Sequence, residues 1–182
     1  MEIKEVFPGH LYSIQYEGEK RNEYRRLFQE QWNSKDFLLS FFREYIQYLD
    51  IDIWSHLKND PEEAAKYVIE DANNLEVFIN TLERNVNRGE KPDFDDFFYP
   101  LDGKYSYVWN MMPVKGYGRK AHTFLRLYAI KVEANCYIIV YGGLKLGRSI
   151  QESPLLKDEV LKRIDRVLHY LKQEGVIDHE DL

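Results

Sequence analysis

The stretch FLRLYAIKV, residues 124–132, is followed after three residues by a second apolar run, CYIIVY at 136–141. Aromatic and β-branched residues in such runs describe strands, and so short a link between two of them makes an antiparallel hairpin. KYSYVWNMM, residues 104–112, reads as a third strand ahead of them. The three predict an antiparallel meander. One residue does not fit, because Arg126 sits among Phe, Leu, Leu, Tyr, Ala and Ile. A guanidinium keeps its charge at any useful pH, and burying it without a partner is costly. Arg126 is therefore either paired inside the fold or turned toward something anionic.

Outward from the meander, LYSIQY (11–16) alternates as a first strand. NEYRRLFQEQW and SKDFLLSFFREYIQYL follow as helices, with Ser34 placed to cap the second, and IDIWSHLKN adds a turn. Asp60 and Pro61 then form a cap and first-position pair, and Gly89 stops a helix of about 28 residues. Along it Ala65, Val68, Ala72, Leu75, Ile79, Leu82 and Val86 recur at spacings of three and four. Such a seam suits a homodimeric coiled coil, but more often packs on its own domain. EKPDFDDFFYPLDG reads as a loop and GRSIQESP as irregular. LLKDEVLKRIDRVLHYLKQEG closes as an amphipathic helix whose Val160, Leu161, Ile164, Val167, Leu168 and Leu171 make one face. The order is strand, helices, three-strand meander, helix. The class is α+β, one domain over 1–182, with a small antiparallel sheet of about four strands packed against helices.

The chain has 182 residues, 44% of them hydrophobic and 15% aromatic, which suits one sizeable core. No secretory signal pattern opens it and no run is apolar enough to span a bilayer, so a cytoplasmic protein without a membrane partner is expected. The single cysteine, Cys136, allows no internal disulfide and lies in an apolar run without a thiolate stabiliser. Net charge is -6, yet residues 103–150 carry eight basic residues and one acidic one, Glu133. These bases either pair with acids elsewhere in the fold or mark a binding surface.

GGLKLGRS (142–149) fits a phosphate loop except that Arg148 replaces its lysine. Pro154 interrupts the helix that should follow and about thirty residues remain for other nucleotide elements, so a strand end or bulge at Gly142 and Gly143 is the better reading. The five histidines are scattered without zinc spacing, and Asp93, Asp95 and Asp96 lack a calcium-loop pattern and read as a solvated turn. No metal or other cofactor is expected, and nothing resembles a nucleophile elbow.

Strand periodicity places Phe124, Arg126, Tyr128 and Ile130 on one face and Leu125, Leu127 and Ala129 on the other, the latter facing the helices. Tyr105, Tyr107 and Trp109 alternate along one neighbouring strand, and Tyr137, Ile139 and Tyr141 along the other. A face with rings and fixed positive charge suits unstacked nucleotides, with Tyr128 and Tyr141 as stacking surfaces. The competing reading makes these rings core and pairs Arg126 with a buried carboxylate.

From KYSYVWNM through FLRLYAIKVEANCYIIVYGGLKLGRSIQESP and into DEVLKRIDRVLHYL, roughly 70 residues, the chain resembles the carboxyl-terminal half of RelE/HigB-type toxins of bacterial toxin-antitoxin systems. The resemblance implies a small antiparallel sheet packed on helices, here with an acidic helical insertion at about 34–90. It implies metal-independent cleavage of messenger RNA, free or ribosome-bound, and a cognate antitoxin partner. Arg126 would hold the scissile phosphate, Lys145 and Arg148 would be the basic residues after the last strand, and Lys115, Arg119 and Lys120 would add bases in a loop. A 2'-hydroxyl would attack the adjacent phosphate while cations stabilise the developing charge. Tyr128, Tyr141 or His122 would serve proton transfer. The chain is longer and more acidic than those toxins, and the alternative is a non-catalytic interaction module of the same fold.

Overall fold

A computed structural model describes residues 1–49, 53–101 and 111–182. One six-stranded sheet runs through it: β1 (Glu2–Phe7), β2 (Leu11–Gln15), β3 (Tyr99–Pro100), β4 (Met112–Tyr117), β5 (Leu125–Glu133) and β6 (Cys136–Leu144). Its spatial order is β1-β2-β6-β5-β4-β3. The class is α+β and the meander β4-β5-β6 is present, but the expected count of four strands is corrected to six. The sheet is mixed rather than wholly antiparallel, since β2 lies parallel to β6. β1 was not foreseen because a two-faced edge strand with no buried residue carries little apolar signal. The strand expected at KYSYVWNMM falls almost wholly in 102–110, outside the described residues, and so do Tyr105, Tyr107 and Trp109. The following MPVKGY, read as a connection, is β4.

The helices are α1 (Glu23–Arg25), continued by a π-helical turn to Gln31, then α2 (Lys35–Glu44), α3 (Pro61–Arg88), α4 (Phe94–Phe97) and α5 (Val160–Glu174). α3 begins and ends where its sequence dictates: the Asp60 carboxylate accepts the Glu63 N–H, Pro61 takes the first turn, and Gly89 closes at a φ of 67°. Its seam from Ala65 to Leu82 is buried against α2 and the sheet, which leaves that face nothing to offer a second copy of the chain. The loop expected at 90–103 instead holds α4, with Asp93 as its capping box, and β3. Asp93 and Asp95 are structural rather than a solvated turn: Asp95 accepts the Tyr137 hydroxyl at 2.6 Å and the Asn135 N–H at 3.0 Å, and pairs with Lys131 at 2.8 Å. That clasp holds the β5–β6 turn, where Asn135 is left-handed.

Helices cover both faces of the sheet, not one. α1 to α4 pack on Leu125, Leu127 and Ala129, and α5 packs on Tyr128, Ile130, Ile138 and Val140. A bulge breaks the expected alternation of β6, since Tyr128 faces Tyr141 while Ala129 faces Ile139. Val140 and Tyr141 therefore both belong to the α5 layer, and Gly142 returns to the other, where Leu27 occupies the space a Cβ would need. Leu161, expected on the buried face of α5, is 40% exposed.

Candidate functional site: a cationic cavity at the end of the meander

The end of β4, the loop before β5, Arg126 of β5 and the segment just past β6 line an open cavity of about 420 Å³ whose walls include Tyr117, Lys120, His122, Arg126, Lys145 and Arg148. Register explains the gathering. Tyr117 is the last residue of β4 and pairs with Arg126 near the start of β5, while Arg126 pairs with Gly143 near the end of β6. Lys145 lies just past Gly143, so the meander brings three segments to one place.

Arg126 is half-buried and has no carboxylate within ion-pair distance among the described residues. Its Nη1 donates to the Thr123 carbonyl at 2.9 Å and the Leu125 carbonyl at 2.7 Å, and its guanidinium carbon lies 4.6 Å from the centre of the Tyr117 ring. Burial lowers its pKa from the usual 12.5, opposed by Tyr128, Tyr117 and Asp71. Lys145 donates to the Arg148 carbonyl at 2.5 Å. Burial, with the charge of Arg126 next, holds its ammonium below the usual 10.5, and Lys115 adds to that repulsion. Arg148 is exposed, on a turn that Glu152 caps by accepting the Arg148 N–H at 2.8 Å. Neither aspartate nor glutamate lines the cavity among the described residues.

Arg126, Lys145, Arg148 and Lys120 thus line one cavity. Lys115 and Arg119 are not among the described walls. Lys115 sits within β4 rather than in a loop, opposite Tyr128. Arg119 turns away to lie 3.8 Å over the Phe78 ring. Lys120 is shared with the acidic α3, since its ammonium pairs with Glu70 at 3.0 Å and stands 3.7 Å from the Tyr67 ring centre.

Tyr128 and Tyr141 correct the expectation of an open stacking face, being 1% and 8% exposed under α5. Desolvation raises the pKa of both phenols, and their burial keeps them from an outside ligand. Tyr141 belongs instead to a clasp around Glu23. That buried carboxylate meets Arg26 at 2.5 Å and Arg163 at 3.1 Å, and Arg163 stacks over both Tyr16 and Tyr141 at 4.4 and 4.7 Å. Cys136 is buried and its thiol is pushed up to about 12, which makes it inert.

Sequence reasoning missed Asp71, a buried acid on α3 whose oxygens meet the loop before β5. Its signal was an aspartate beside Ala72 on an otherwise apolar seam. Comparison with protein-family models, with curated proteins and with solved structures finds no match.

Proposed function

We propose that this cavity holds RNA backbone phosphates, and that the protein is a RelE-like toxin that binds RNA there and cleaves messenger RNA by metal-independent 2'-hydroxyl attack. The observation that carries the reading is that Arg126, Lys145 and Arg148 share one cavity without a carboxylate among its described walls. Cations facing one space repel each other and lose hydration, a cost that an entering anion reverses. A phosphodiester supplies that anion, and three donors around it can hold both ground-state charge and the charge that develops on the phosphoryl oxygens.

In such a step the 2'-oxygen bonds to the adjacent phosphorus as the bond to the 5'-oxygen breaks. The products are a 2',3'-cyclic phosphate and a 5'-hydroxyl. One proton leaves the 2'-hydroxyl and one reaches the 5'-oxygen. His122 and Tyr117 line the cavity and are the side chains placed for that exchange, in contrast to the buried Tyr128 and Tyr141.

A specific observation favours the second reading, a non-catalytic interaction module. Part of the basic segment is already engaged by the chain's own acidic helix, through Glu70 and Asp71. The deciding experiment compares wild type with an Arg126→Ala, Arg148→Ala double variant on free and ribosome-bound RNA at fixed salt. Cleavage that disappears in a folded variant supports the toxin chemistry. If neither protein binds nor cuts RNA, the interaction module is the correct reading.

A further inference from the structure

Asp71 is 1% exposed, and its charge is met by dipoles rather than by a cation. One carboxylate oxygen accepts the N–H of Arg119 at 2.6 Å and of Lys120 at 2.9 Å, while the other accepts the Thr123 hydroxyl. The hydroxyl oxygen of Thr123 in turn accepts the Leu125 N–H at 3.0 Å, and its carbonyl accepts Arg126 Nη1 at 2.9 Å. A continuous path of hydrogen bonds thus runs from α3, through Thr123, to the guanidinium that faces the cavity. The loop leaves no slack around it, because a Cβ on Gly118 would overlap both the Asp71 carboxylate and the Thr123 hydroxyl.

An acid that only closed a loop would need the two N–H groups and nothing more. The third contact ties the carboxylate to the residue that orients Arg126, and the Asp71 charge also favours the cationic guanidinium. A charged group held by packing and hydrogen bonds from a neighbouring element is how a site is pre-organised for its ligand. We propose that Asp71, acting through Thr123, is a positioning residue that aims the Arg126 guanidinium into the cavity and fixes the 118–123 wall. The inference rests on the phosphate-binding reading of that cavity.

The test is a double-variant cycle read with a fluorescein-labelled single-stranded RNA oligonucleotide at fixed salt. Asp71→Asn keeps an oxygen for the Arg119 and Lys120 N–H groups but replaces the acceptor that Thr123 uses. It should weaken RNA binding about tenfold in wild type and change it little in an Arg126→Ala background. An equal loss in both backgrounds, or none in wild type, overturns the proposal. A second readout needs no RNA. NMR of the guanidinium nitrogens should show Arg126 with slowed rotation in wild type, and averaged signals in both Asp71→Asn and Thr123→Val. Thr123→Val keeps the carbonyl and the chain direction, and carries the test if Asp71→Asn does not fold. Unchanged Arg126 signals overturn the positioning role. Changed signals in a wild type that binds no RNA overturn the phosphate reading of the cavity and leave the positioning role standing.

Discussion

Arg126 is half-buried, held by two backbone carbonyls, and lines a cavity with no carboxylate among its described walls. A residue kept for stability would be missed when removed, whereas one kept for a ligand is tolerated or even unfavourable in the free protein. Arg126→Met should therefore leave the thermal midpoint unchanged or raised while weakening RNA binding about tenfold to a hundredfold, measured by calorimetry and by titration. A lowered midpoint would make the arginine structural. Lys145 offers a pH test. Its folded pKa is depressed, so between that value and the ordinary 10.5 the unfolded chain holds more protons, and the residue's contribution to stability rises with pH across that alkaline window. A bound anion favours the charged form. NMR titration of its ammonium should give a pKa below 10.5 in the free protein and an upward shift with RNA. Arg126, Lys145 and Arg148 were legible because each is a base beside or within an apolar strand. Asp71 was not, because its partner Thr123 lies 52 residues away and no local pattern joins them.

α3 shows what local chemistry can dictate, since its cap, first-turn proline, terminal glycine and seam are all readable and all present. The bulge in β6 shows what it cannot. One extra residue in CYIIVYGG leaves the apolar run unbroken but moves Tyr141 onto the same face as Val140, under α5 and into the Glu23 clasp. It also sets Gly142 against Leu27 and the Arg126 carbonyl, which an added Cβ would meet at 2.6 and 2.8 Å. Gly142→Ala should destabilise the fold by about 1 to 3 kcal/mol, the usual cost of overpacking, read from the denaturant midpoint. A neutral result would mean that Leu27 and the π-helical turn that carries it are free to give way. The same buried strand hides Cys136, so its thiol should resist alkylating reagents until the protein unfolds. The edge strands β1 and β3 escaped the sequence reading because one has no buried residue and the other is two residues long.

At the scale of the molecule, a net charge of -6 opposes general attraction to a polyanion, so binding must depend on where the bases lie. The fold concentrates part of the basic segment at one end of the meander, while Glu70 of α3 pairs with Lys120, Asp71 of α3 holds the backbone at 119–120, and Asp95 pairs with Lys131. Two helical layers close over the sheet and bury Tyr128 and Tyr141, which the strand pattern placed on an open stacking face. No helix among the described residues is long and apolar enough to cross a membrane. The most direct test of the central claim is the salt dependence of single-stranded RNA binding by wild type and by an Arg126→Ala, Lys145→Ala, Arg148→Ala variant. If those three cations hold phosphates, wild type should show a log–log slope of about -2, and the folded variant should lose both the affinity and the slope. Identical affinity and slope in the two proteins, or no binding by wild type at low salt, would contradict the account.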